Sequence, residues 1–279
     1  ILEEFGDKRR CQIVSEVIAA QAFSDQDMMP AENVTVVLSE KGWVKAAKGH
    51  EIDSSALNYK SGDAFLKDAK GRSNKMAFFI DSSGRSYTLL ANSLPSARGQ
   101  GEPLTGRLTP PIGAEFIDVV MGDDEQLVIL SSDAGYGFIS TLGDLQSKTK
   151  SGKHAITLSK EAKTMRLTKV QNLESDYLAV ITNRARLLIF QVSELPHLSK
   201  GKGNKLINIK TDDFVAKEEF LIGLCIIKEN QKLRVEYGNG KKHKQYSFSD
   251  LVNFTSHRAR KGLTVPGVHG KALGIDAID

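Results

Sequence analysis

Residues 34–44 read Val34-Thr-Val-Val-Leu-Ser-Glu-Lys-Gly42-Trp-Val, which is a β-rich run, a tight turn and a second β-rich run. The same arrangement returns four times farther along the chain. The later copies are Met76-Ala-Phe-Phe-Ile-Asp-Ser-Ser-Gly84-Arg-Ser-Tyr, Leu127-Val-Ile-Leu-Ser-Ser-Asp-Ala-Gly135-Tyr-Gly-Phe, Tyr177-Leu-Ala-Val-Ile-Thr-Asn-Arg-Ala185-Arg-Leu-Leu and Lys232-Leu-Arg-Val-Glu-Tyr-Gly-Asn-Gly240-Lys-Lys. The turn position advances by 42, 51, 50 and 55 residues between copies. This spacing indicates a tandem repeat of β-hairpins.

The turn residue is glycine in every copy except the fourth, where it is Ala185. Hairpin turns that match the twist of their strands need positive φ, which glycine adopts without steric cost. We expect the Asn183-Arg184 pair to supply the left-handed residue in the fourth copy instead.

A second motif follows the hairpins at 14–22 residues and combines a glycine, Lys or Arg, and a short apolar strand. Its four copies are Arg98-Gly-Gln-Gly101, Lys150-Ser-Gly152, Lys200-Gly-Lys-Gly203 and Arg260-Lys-Gly262. The first repeat departs from the pattern, and its nearest counterpart is Tyr59-Lys-Ser-Gly62. A final strand closes each unit, as in residues 114–120.

Four short strands per unit of 40–55 residues are typical of a propeller blade. We therefore predict an all-β, five-bladed propeller-like domain over residues 34–279, with a helix tail and connector over residues 1–33. The predicted blades cover approximately residues 34–74, 75–125, 126–175, 176–230 and 231–279. A β-sandwich is the alternative, although it needs no internal self-similarity.

Composition places the chain among soluble globular proteins, with 40% apolar and 26% charged residues. Its longest apolar run, residues 220–227, is far shorter than a membrane span. The start of the sequence lacks both an initiator Met and a secretory leader, so we expect a piece of a longer protein. The two cysteines, Cys11 and Cys225, lie far apart and indicate no disulfide framework, so we expect a reducing cytosol. Residues 1–33 carry a charge of −4 and residues 34–279 carry +8, which favours a polyanionic partner.

No pattern in the sequence predicts catalysis, a cofactor or a metal. The Gly-x-Gly pairs at 99/101, 135/137, 201/203 and 238/240 do not open helices, so they are read as turns and not as phosphate loops. The six histidines are scattered, and Asp123-Asp124-Glu125 is read as a turn between blades. A G-x-S-x-G nucleophile elbow is also missing.

The basic loops differ from these patterns because they recur at one place in the repeat. Equivalent loops of a propeller lie on equivalent edges, so they would line one curved rim suited to phosphate backbones. The alternative is a solvated face whose lysines serve solubility. The candidate DNA-contacting residues are Lys45, Lys48, Arg85, Arg98, Arg107, Lys148, Lys150, Lys153, Arg184, Arg186, Lys200, Lys202, Lys205, Lys241, Lys242, Arg258, Arg260 and Lys261.

Several of these stretches resemble a known family. Phe5-Gly-Asp-Lys-Arg-Arg10 is similar to the end of the breakage-reunion region in bacterial type IIA topoisomerase A subunits. Residues 36–45, 47–50, 94–106, 132–138 and 198–208 resemble the topoisomerase IV A subunits of proteobacteria more specifically. The resemblance covers residues 1 to about 210 well and the last blade more loosely.

The resemblance implies a β-pinwheel, with a ring that is often open or broken, and a basic rim that bends double-stranded DNA. It implies a parent enzyme that relaxes and decatenates DNA with ATP and Mg²⁺, although the fragment itself would hold no cofactor. Partners would be the rest of the dimeric A subunit together with the ATPase, or B, subunit in an A2B2 assembly, with the isolated domain monomeric. The location would be the nucleoid, with peripheral association with the inner membrane.

The resemblance also fixes what this chain lacks. The DNA-cleaving tyrosine belongs to the breakage-reunion region, so none of the tyrosines here is expected to be that nucleophile. The Q-R-R-G-G-K-G box of the paralogous gyrase A subunits has no match, and its nearest approach is Lys200-Gly-Lys-Gly-Asn-Lys205. A protein-interaction propeller is the alternative function, but the W-D signature is missing because Trp43 precedes Val. A propeller enzyme or lectin would need columns of carboxylates or aromatics that do not occur.

Overall fold

The computed structural model describes residues 31–240 and 242–279. The predicted helix tail and connector lies outside the described residues, apart from its last three positions. Nineteen short strands build five antiparallel sheets in this part of the chain. Two short α-helices, Leu142–Leu145 and Thr211–Val215, and five 3₁₀ turns connect them. The all-β, five-bladed prediction is confirmed.

The first two sheets follow one plan. The first sheet has the order β3 (Phe65–Arg72), β1 (Asn33–Ser39), β2 (Trp43–Lys48), β6 (Glu102–Pro103). The second has the order β10 (Lys153–His154), β5 (Arg85–Leu90), β4 (Met76–Asp81), β7 (Phe116–Met121).

The remaining sheets repeat this plan with one difference. The third sheet contains β11 (Thr168–Lys169), β8 (Leu127–Ser131), β9 (Tyr136–Thr141) and β14 (Asn204–Lys205). The fourth contains β15 (Leu221–Ile227), β12 (Tyr177–Thr182), β13 (Arg186–Gln191) and β18 (Leu263–Thr264). The fifth has only three strands among the described residues, namely β17 (Lys242–Ser247), β16 (Lys232–Tyr237) and β19 (Ala272–Ile278).

The sheets and the sequence repeats are offset by one strand. The outermost strand of each four-stranded sheet is supplied by the following repeat, so that β6 pairs with β2 and β10 pairs with β5. The carbonyl of each hairpin turn accepts a hydrogen bond from that exchanged segment, as in Leu104 N–H to Gly42 O at 2.9 Å. The contiguous blade ranges drawn from the sequence therefore do not coincide with the sheets. Periodicity alone does not reveal which sheet a two-residue strand joins.

In the described part of the chain the exchanged strand is missing from one sheet, and the sequence repeat explains why. The first repeat, where the Gly–basic motif departs from the pattern, forms a 3₁₀ turn at Ser54–Ala56 and contributes no exchanged strand among the described residues. The fifth sheet is correspondingly one strand short. The strand exchange thus runs from the first sheet to the fourth and stops there.

Four hydrophobic clusters fill the spaces between consecutive sheets. One joins the first and second sheets around Phe79 and Met121, and the next joins the second and third around Phe78 and Phe138. Two more join the third to the fourth sheet and the fourth to the fifth. Within the described part of the chain, no such cluster joins the fifth sheet to the first. Because consecutive sheets pack on both faces of a hairpin, strands such as β12 are buried at five of six positions. As far as residues 31–240 and 242–279 show, the ring is open at the junction of its first and last sheets.

The hairpin turns bear out the expected backbone conformation, with one correction. Gly42, Gly84 and Gly135 have φ of 74°, 87° and 79°. In the fourth copy Ala185 itself is left-handed, with φ of 56°. The expectation that Asn183 or Arg184 would take that role is wrong. The methyl group of Ala185 is buried between the fourth and fifth sheets.

Candidate nucleic-acid interface

Each Gly–basic motif forms a turn on the outer edge of a sheet. In the first, third and fourth sheets the chain makes one parallel bridge to the second hairpin strand and turns outward through the basic residues. It then returns as the antiparallel outermost strand. The bridges are Ala46 with Ser96, Ile139 with His197 and Ile189 with Thr255. In the second sheet the corresponding approach is Ser147 N–H to Thr88 Oγ1 at 3.0 Å. We call these segments, residues 98–101, 148–152, 199–203 and 258–262, the basic turns.

A left-handed glycine ends every basic turn. Gly101, Gly152, Gly203 and Gly262 have φ of 90°, 72°, 73° and 72°. Each lies against the backbone carbonyl of the neighbouring strand, so that a Cβ atom on Gly262 would be 2.7 Å from the Leu187 oxygen. Glycine is required here both for its φ and for this close approach. The four turns are therefore held in the same position relative to their sheets.

Backbone hydrogen bonds link successive basic turns. The segments that follow β6, β10 and β14 each donate an N–H group to the next basic turn along the ring. Thr109 donates to the Lys150 carbonyl, Thr157 to that of Gly201 and Asn208 to that of Arg260, each at 2.8 Å. Because these bonds join backbone to backbone, the spacing between neighbouring turns does not depend on side-chain conformation.

Seven of the predicted residues lie exposed on the basic turns. These are Arg98, Lys148, Lys150, Lys200, Lys202, Arg260 and Lys261. The Lys202 ammonium lies 4.0 Å from the centre of the Tyr136 ring, on the outer edge of the third sheet. Tyr136 was not predicted from the sequence, although its place directly after the hairpin glycine could have indicated it. The structure thus brings charge from four distant segments to equivalent outer edges.

Five other predicted residues brace the turns. Arg85 donates to the Ser151 carbonyl at 2.8 Å, and Lys153 donates to the Asp144 carbonyl. Arg107 pairs with Glu102. Lys205 donates to Asn208 Oδ1, and Arg258 donates to the carbonyls of Glu194 and Lys205. Their donors are already used inside the protein, so their charge reaches the rim but their hydrogen bonds are less available to a ligand.

Lys45 does not lie on the rim, which corrects the prediction. Its side chain is buried with 2% exposure, and its ammonium lies 4.0 Å from the centre of the Tyr59 ring. Loss of solvation lowers the pKa of Lys45, while the Asp63 carboxylate acts in the opposite direction. The alternation of β2 turns this lysine inward under residues 50–64, a packing that the sequence pattern did not reveal.

Arg186 is also internal, which corrects its predicted place on the rim. Arg186 is the first residue of β13, and its guanidinium pairs with the buried carboxylate of Glu219. Thr182 donates to the same carboxylate at 2.9 Å. Position 186 corresponds to Trp43, Arg85 and Tyr136 in the other hairpins, but the segment before β15 covers it here.

Two of the remaining candidates form ion pairs with acidic side chains, and the other two belong to the fifth repeat. Lys48 pairs with Glu32 at 2.8 Å, and Arg184 pairs with Glu218 at 2.7 Å. Lys242 is exposed on the outer strand of the fifth sheet. Lys241 lies outside the described residues.

The inner strands of all five sheets surround a central channel of about 810 Å³. Lys67, Arg166 and Lys169 line it together with the acids Asp68 and Asp276 and several apolar side chains. The nearby Asp118 carboxyl is buried, and burial raises its pKa to about 6. The backbone N–H of Leu167 and the charges of Lys67 and Arg166 oppose that rise. Sequence analysis missed these lysines because the inner strands that carry Lys67 and Lys169, β3 and β11, have no repeated basic signature.

Two negative findings concern the described residues alone. No group of three or more His, Cys, Asp or Glu side chains is placed to hold a metal ion there. Within the same part of the chain, no helix has the length and apolar character needed to cross a membrane.

Comparison with known proteins is consistent with this geometry. A family model described as the DNA gyrase C-terminal domain, beta-propeller, matches residues 126–170 and 176–217. The A subunit of DNA topoisomerase 4 from Pseudomonas aeruginosa is 48% identical over 264 residues, and that from Escherichia coli is 44% identical over 266. Each match covers 95% of this chain but 35% of the relative. The chain thus spans about a third of the length of these relatives.

A solved structure of matching extent decides the family. The E. coli ParC C-terminal domain is 43% identical, with a TM-score of 0.80, and the match covers 89% of this chain and 99% of that domain. The chain belongs to the family of C-terminal domains of topoisomerase IV A subunits. The gyrase A C-terminal domain shares the fold at a TM-score of 0.64 with 16% identity, over 89% of this chain and 83% of that one.

Proposed function

We propose that this domain binds double-stranded DNA along its basic turns without reading sequence, and bends the duplex around the open ring. The observation that carries the proposal is the equivalence of the four turns. Each ends in a left-handed glycine against a strand carbonyl, and each carries exposed Lys or Arg on an outer edge. Charges at regular intervals on a curved edge match a phosphate backbone that curves with them.

The chemistry of the turns favours phosphate over bases. Exposed lysines supply charge without the paired donors that arginine offers to guanine, and glycines let backbone N–H groups approach phosphate oxygens. Six to ten such contacts would make binding strongly salt-dependent, with a slope of log K against log salt on the order of −0.9 per contact. Sequence preference should be slight.

In the parent enzyme, the domain would present DNA segments to an ATP- and Mg²⁺-dependent type II topoisomerase for relaxation and decatenation. Its partners there would be the rest of a dimeric A subunit together with the ATPase, or B, subunit, in the cytoplasm at the nucleoid and with peripheral contact with the inner membrane. The domain itself would be monomeric, without cofactor or catalytic residue. This proposal rests on the relatives named as A subunits of DNA topoisomerase 4.

The test compares variants at equivalent turns. Lys150→Ala and Lys200→Ala should each weaken binding to random duplex DNA and lower the salt slope by about one. Lys232→Ala is the matched control, because that lysine is exposed at the start of β16 and away from the basic turns. The measurement is fluorescence anisotropy of a labelled duplex at several salt concentrations.

The two functions proposed from the sequence give different results in this experiment. Phosphate contacts predict equal losses on unrelated sequences and no change for Lys232→Ala. A protein-interaction scaffold predicts the same weak affinity for all three variants and the wild type. A strong preferred site would contradict the proposal in another way, since it requires readers of base edges.

A further inference from the structure

Three cations of the central channel take no part in the basic turns. Lys67 lies on β3 of the first sheet, Lys169 lies on β11 of the third sheet, and Arg166 lies just before β11. β3 and β11 are inner strands, and β7 of the second sheet lies between them. The three side chains therefore approach the channel from the two sides of one strand.

Hydrogen bonds fix one half of this cluster against β7. The backbone N–H of Leu167 donates to Asp118 Oδ2 at 2.7 Å. The Lys169 ammonium donates to the Met121 carbonyl at 2.6 Å. Both acceptors belong to β7, so residues 166–169 are held in a defined position beside the Asp118 carboxylate.

The charges in this part of the channel wall do not balance. Burial raises the pKa of Asp118, and the charges of Lys67 and Arg166 oppose that rise, so both cations act on one carboxylate. Burial lowers the pKa of Lys169, and the charge of Lys67 lowers it further, while Asp118 acts in the opposite direction. Three cations thus surround one acid, which leaves two positive charges without a counterpart.

The two other acids of the channel are engaged with different partners. Asp68 accepts a hydrogen bond from the Ser54 hydroxyl at 2.6 Å, and Asp276 pairs with Arg234 at 3.1 Å. Within residues 31–240 and 242–279, none of the three channel cations forms an ion pair with a carboxylate. The cluster therefore has charge and donors that a ligand could use.

We propose that the central channel binds a small phosphate-type anion between Lys67, Arg166 and Lys169. The channel volume of about 810 Å³ is in the range of small-ligand pockets. The guanidinium of an arginine can hold two phosphate oxygens at once, and each ammonium adds a point charge. An anion with two or more charges would offset both unmatched cations, whereas a monocarboxylate would offset one.

This site is separate from the basic turns, and the inference does not rest on the proposed DNA binding. Lys150 and Lys200 lie on outer edges of their sheets, whereas the channel cations lie on inner strands. The channel wall includes residues of β3, β7, β11, β15 and β19, one inner strand from each sheet. A ligand that binds only this folded arrangement stabilises it by mass action. A bound anion should therefore raise the melting temperature.

The experiment titrates the full 279-residue chain with inorganic tripolyphosphate at constant ionic strength, followed by calorimetry and thermal unfolding. The wild type should bind one anion per chain and melt at a higher temperature as the anion concentration rises. Lys67→Met should weaken binding roughly tenfold or more, because a charge-assisted hydrogen bond is lost. Lys160→Met, at an exposed lysine outside the channel, is the matched control and should bind as the wild type does.

A second variant should gain affinity, which a damaged fold would not produce. Asp118→Asn keeps an oxygen that can accept from Leu167 N–H but removes the one opposing charge. It should bind tripolyphosphate about threefold to tenfold more tightly at pH 7.5. ATP is titrated in parallel with the wild type. Tighter binding of ATP than of tripolyphosphate would identify a nucleotide as the source of the phosphates, and weaker or equal binding an inorganic chain; both results support the site.

Three results would overturn the proposal. The first is a wild type that does not bind tripolyphosphate. The second is a loss of anion affinity in Lys150→Ala as large as that in Lys67→Met, because the anion would then lie on a basic turn. The third is an Asp118→Asn variant that binds no more tightly than the wild type, because the cations would then serve only to offset the buried carboxylate. The duplex titrations of Lys150→Ala and Lys200→Ala test DNA binding independently of all three.

Discussion

Arg186 and Glu219 form a buried ion pair in the fourth sheet, 33 residues apart in sequence. The guanidinium is 10% exposed and the carboxylate 1%. Thr182 donates a hydrogen bond to the same carboxylate, which ties the end of β12 to the start of β13 and to the segment before β15. Arg186, which was predicted from the sequence to lie on the rim, is thus part of the interior.

The first prediction concerns this pair. Arg186→Ala should lower the free energy of unfolding by about 3–5 kcal/mol, because it leaves a buried carboxylate without its partner. The exposed Arg184, which pairs with Glu218, is the control, and Arg184→Ala should cost less than about 1 kcal/mol. Urea denaturation measures both. DNA affinity of the folded Arg186→Ala protein should match the wild type; a lower salt slope would return Arg186 to the interface.

The second prediction concerns the glycines of the basic turns. Gly262→Ala places a methyl group 2.7 Å from the Leu187 carbonyl oxygen at a φ of 72°. The strain of the left-handed conformation costs about 1–2 kcal/mol, and moving the two backbones apart adds about 1–3 kcal/mol. Gly270→Ala is the control, since Gly270 also has positive φ but no atom within 4 Å of the added methyl. Thermal unfolding should show the larger loss for Gly262→Ala, and equal losses would mean that the turn has room to relax.

Much of the fold could be predicted from the sequence because each hairpin is local. Two β-rich runs separated by a glycine turn contain their own pairing information, so β1 with β2 or β8 with β9 could be assigned directly. The pairing of the exchanged strands could not be assigned in this way. A strand such as Asn204–Lys205 is only two residues long, and its partner is set by the packing of whole repeats.

The interface could be predicted from the sequence wherever the place of a residue on a basic turn determines its exposure. Lys150 and Lys200 lie where a Gly–basic turn leaves the sheet, and both are exposed. Lys45 and Arg186 lie within strands, where the facing segment decides whether a side chain is covered. Nothing in the repeat indicates that residues 50–64 cover Lys45 and that Glu219 covers Arg186. The exposure of charged residues inside strands can therefore be assigned only from the three-dimensional structure.

The third prediction concerns pH. The folded-state pKa of Asp118, about 6, lies above its ordinary value of 3.8, so the folded protein holds this proton more tightly than the unfolded chain. The resulting stabilisation is complete below about pH 4 and is lost as the pH rises through 6. It is worth about 3 kcal/mol at most. The wild type should therefore lose stability relative to Asp118→Asn between pH 4 and 7.

Urea denaturation at pH 4.5 and 7.5 measures that difference. Asp124→Asn, an exposed carboxylate in the turn before β8, is the control and should follow the wild type at both pH values. Parallel curves for the wild type and Asp118→Asn would mean that the Asp118 carboxylate stays charged, stabilised by Lys67 and Arg166.

The last prediction concerns the open end of the ring. In β13 the outer edge is covered by β18, and Ser256 N–H donates to the Ile189 carbonyl. In β17, the equivalent strand of the fifth sheet, no described residue pairs with the outer edge. Amide hydrogens on an uncovered edge exchange through small local openings. The outward-facing amides of β17 should therefore exchange faster than those of β13, whereas the amides shared between β16 and β17 stay protected.

Hydrogen exchange followed by NMR resolves the two sets of amides in one sample, and β13 provides the internal reference. Lowering the pH should slow both sets equally, because intrinsic exchange changes for all amides alike. If the outward amides of β17 were as slow as those of β13, another segment would have to cover that edge in solution. In that case the ring would have a fifth exchanged strand, supplied from outside residues 31–240 and 242–279.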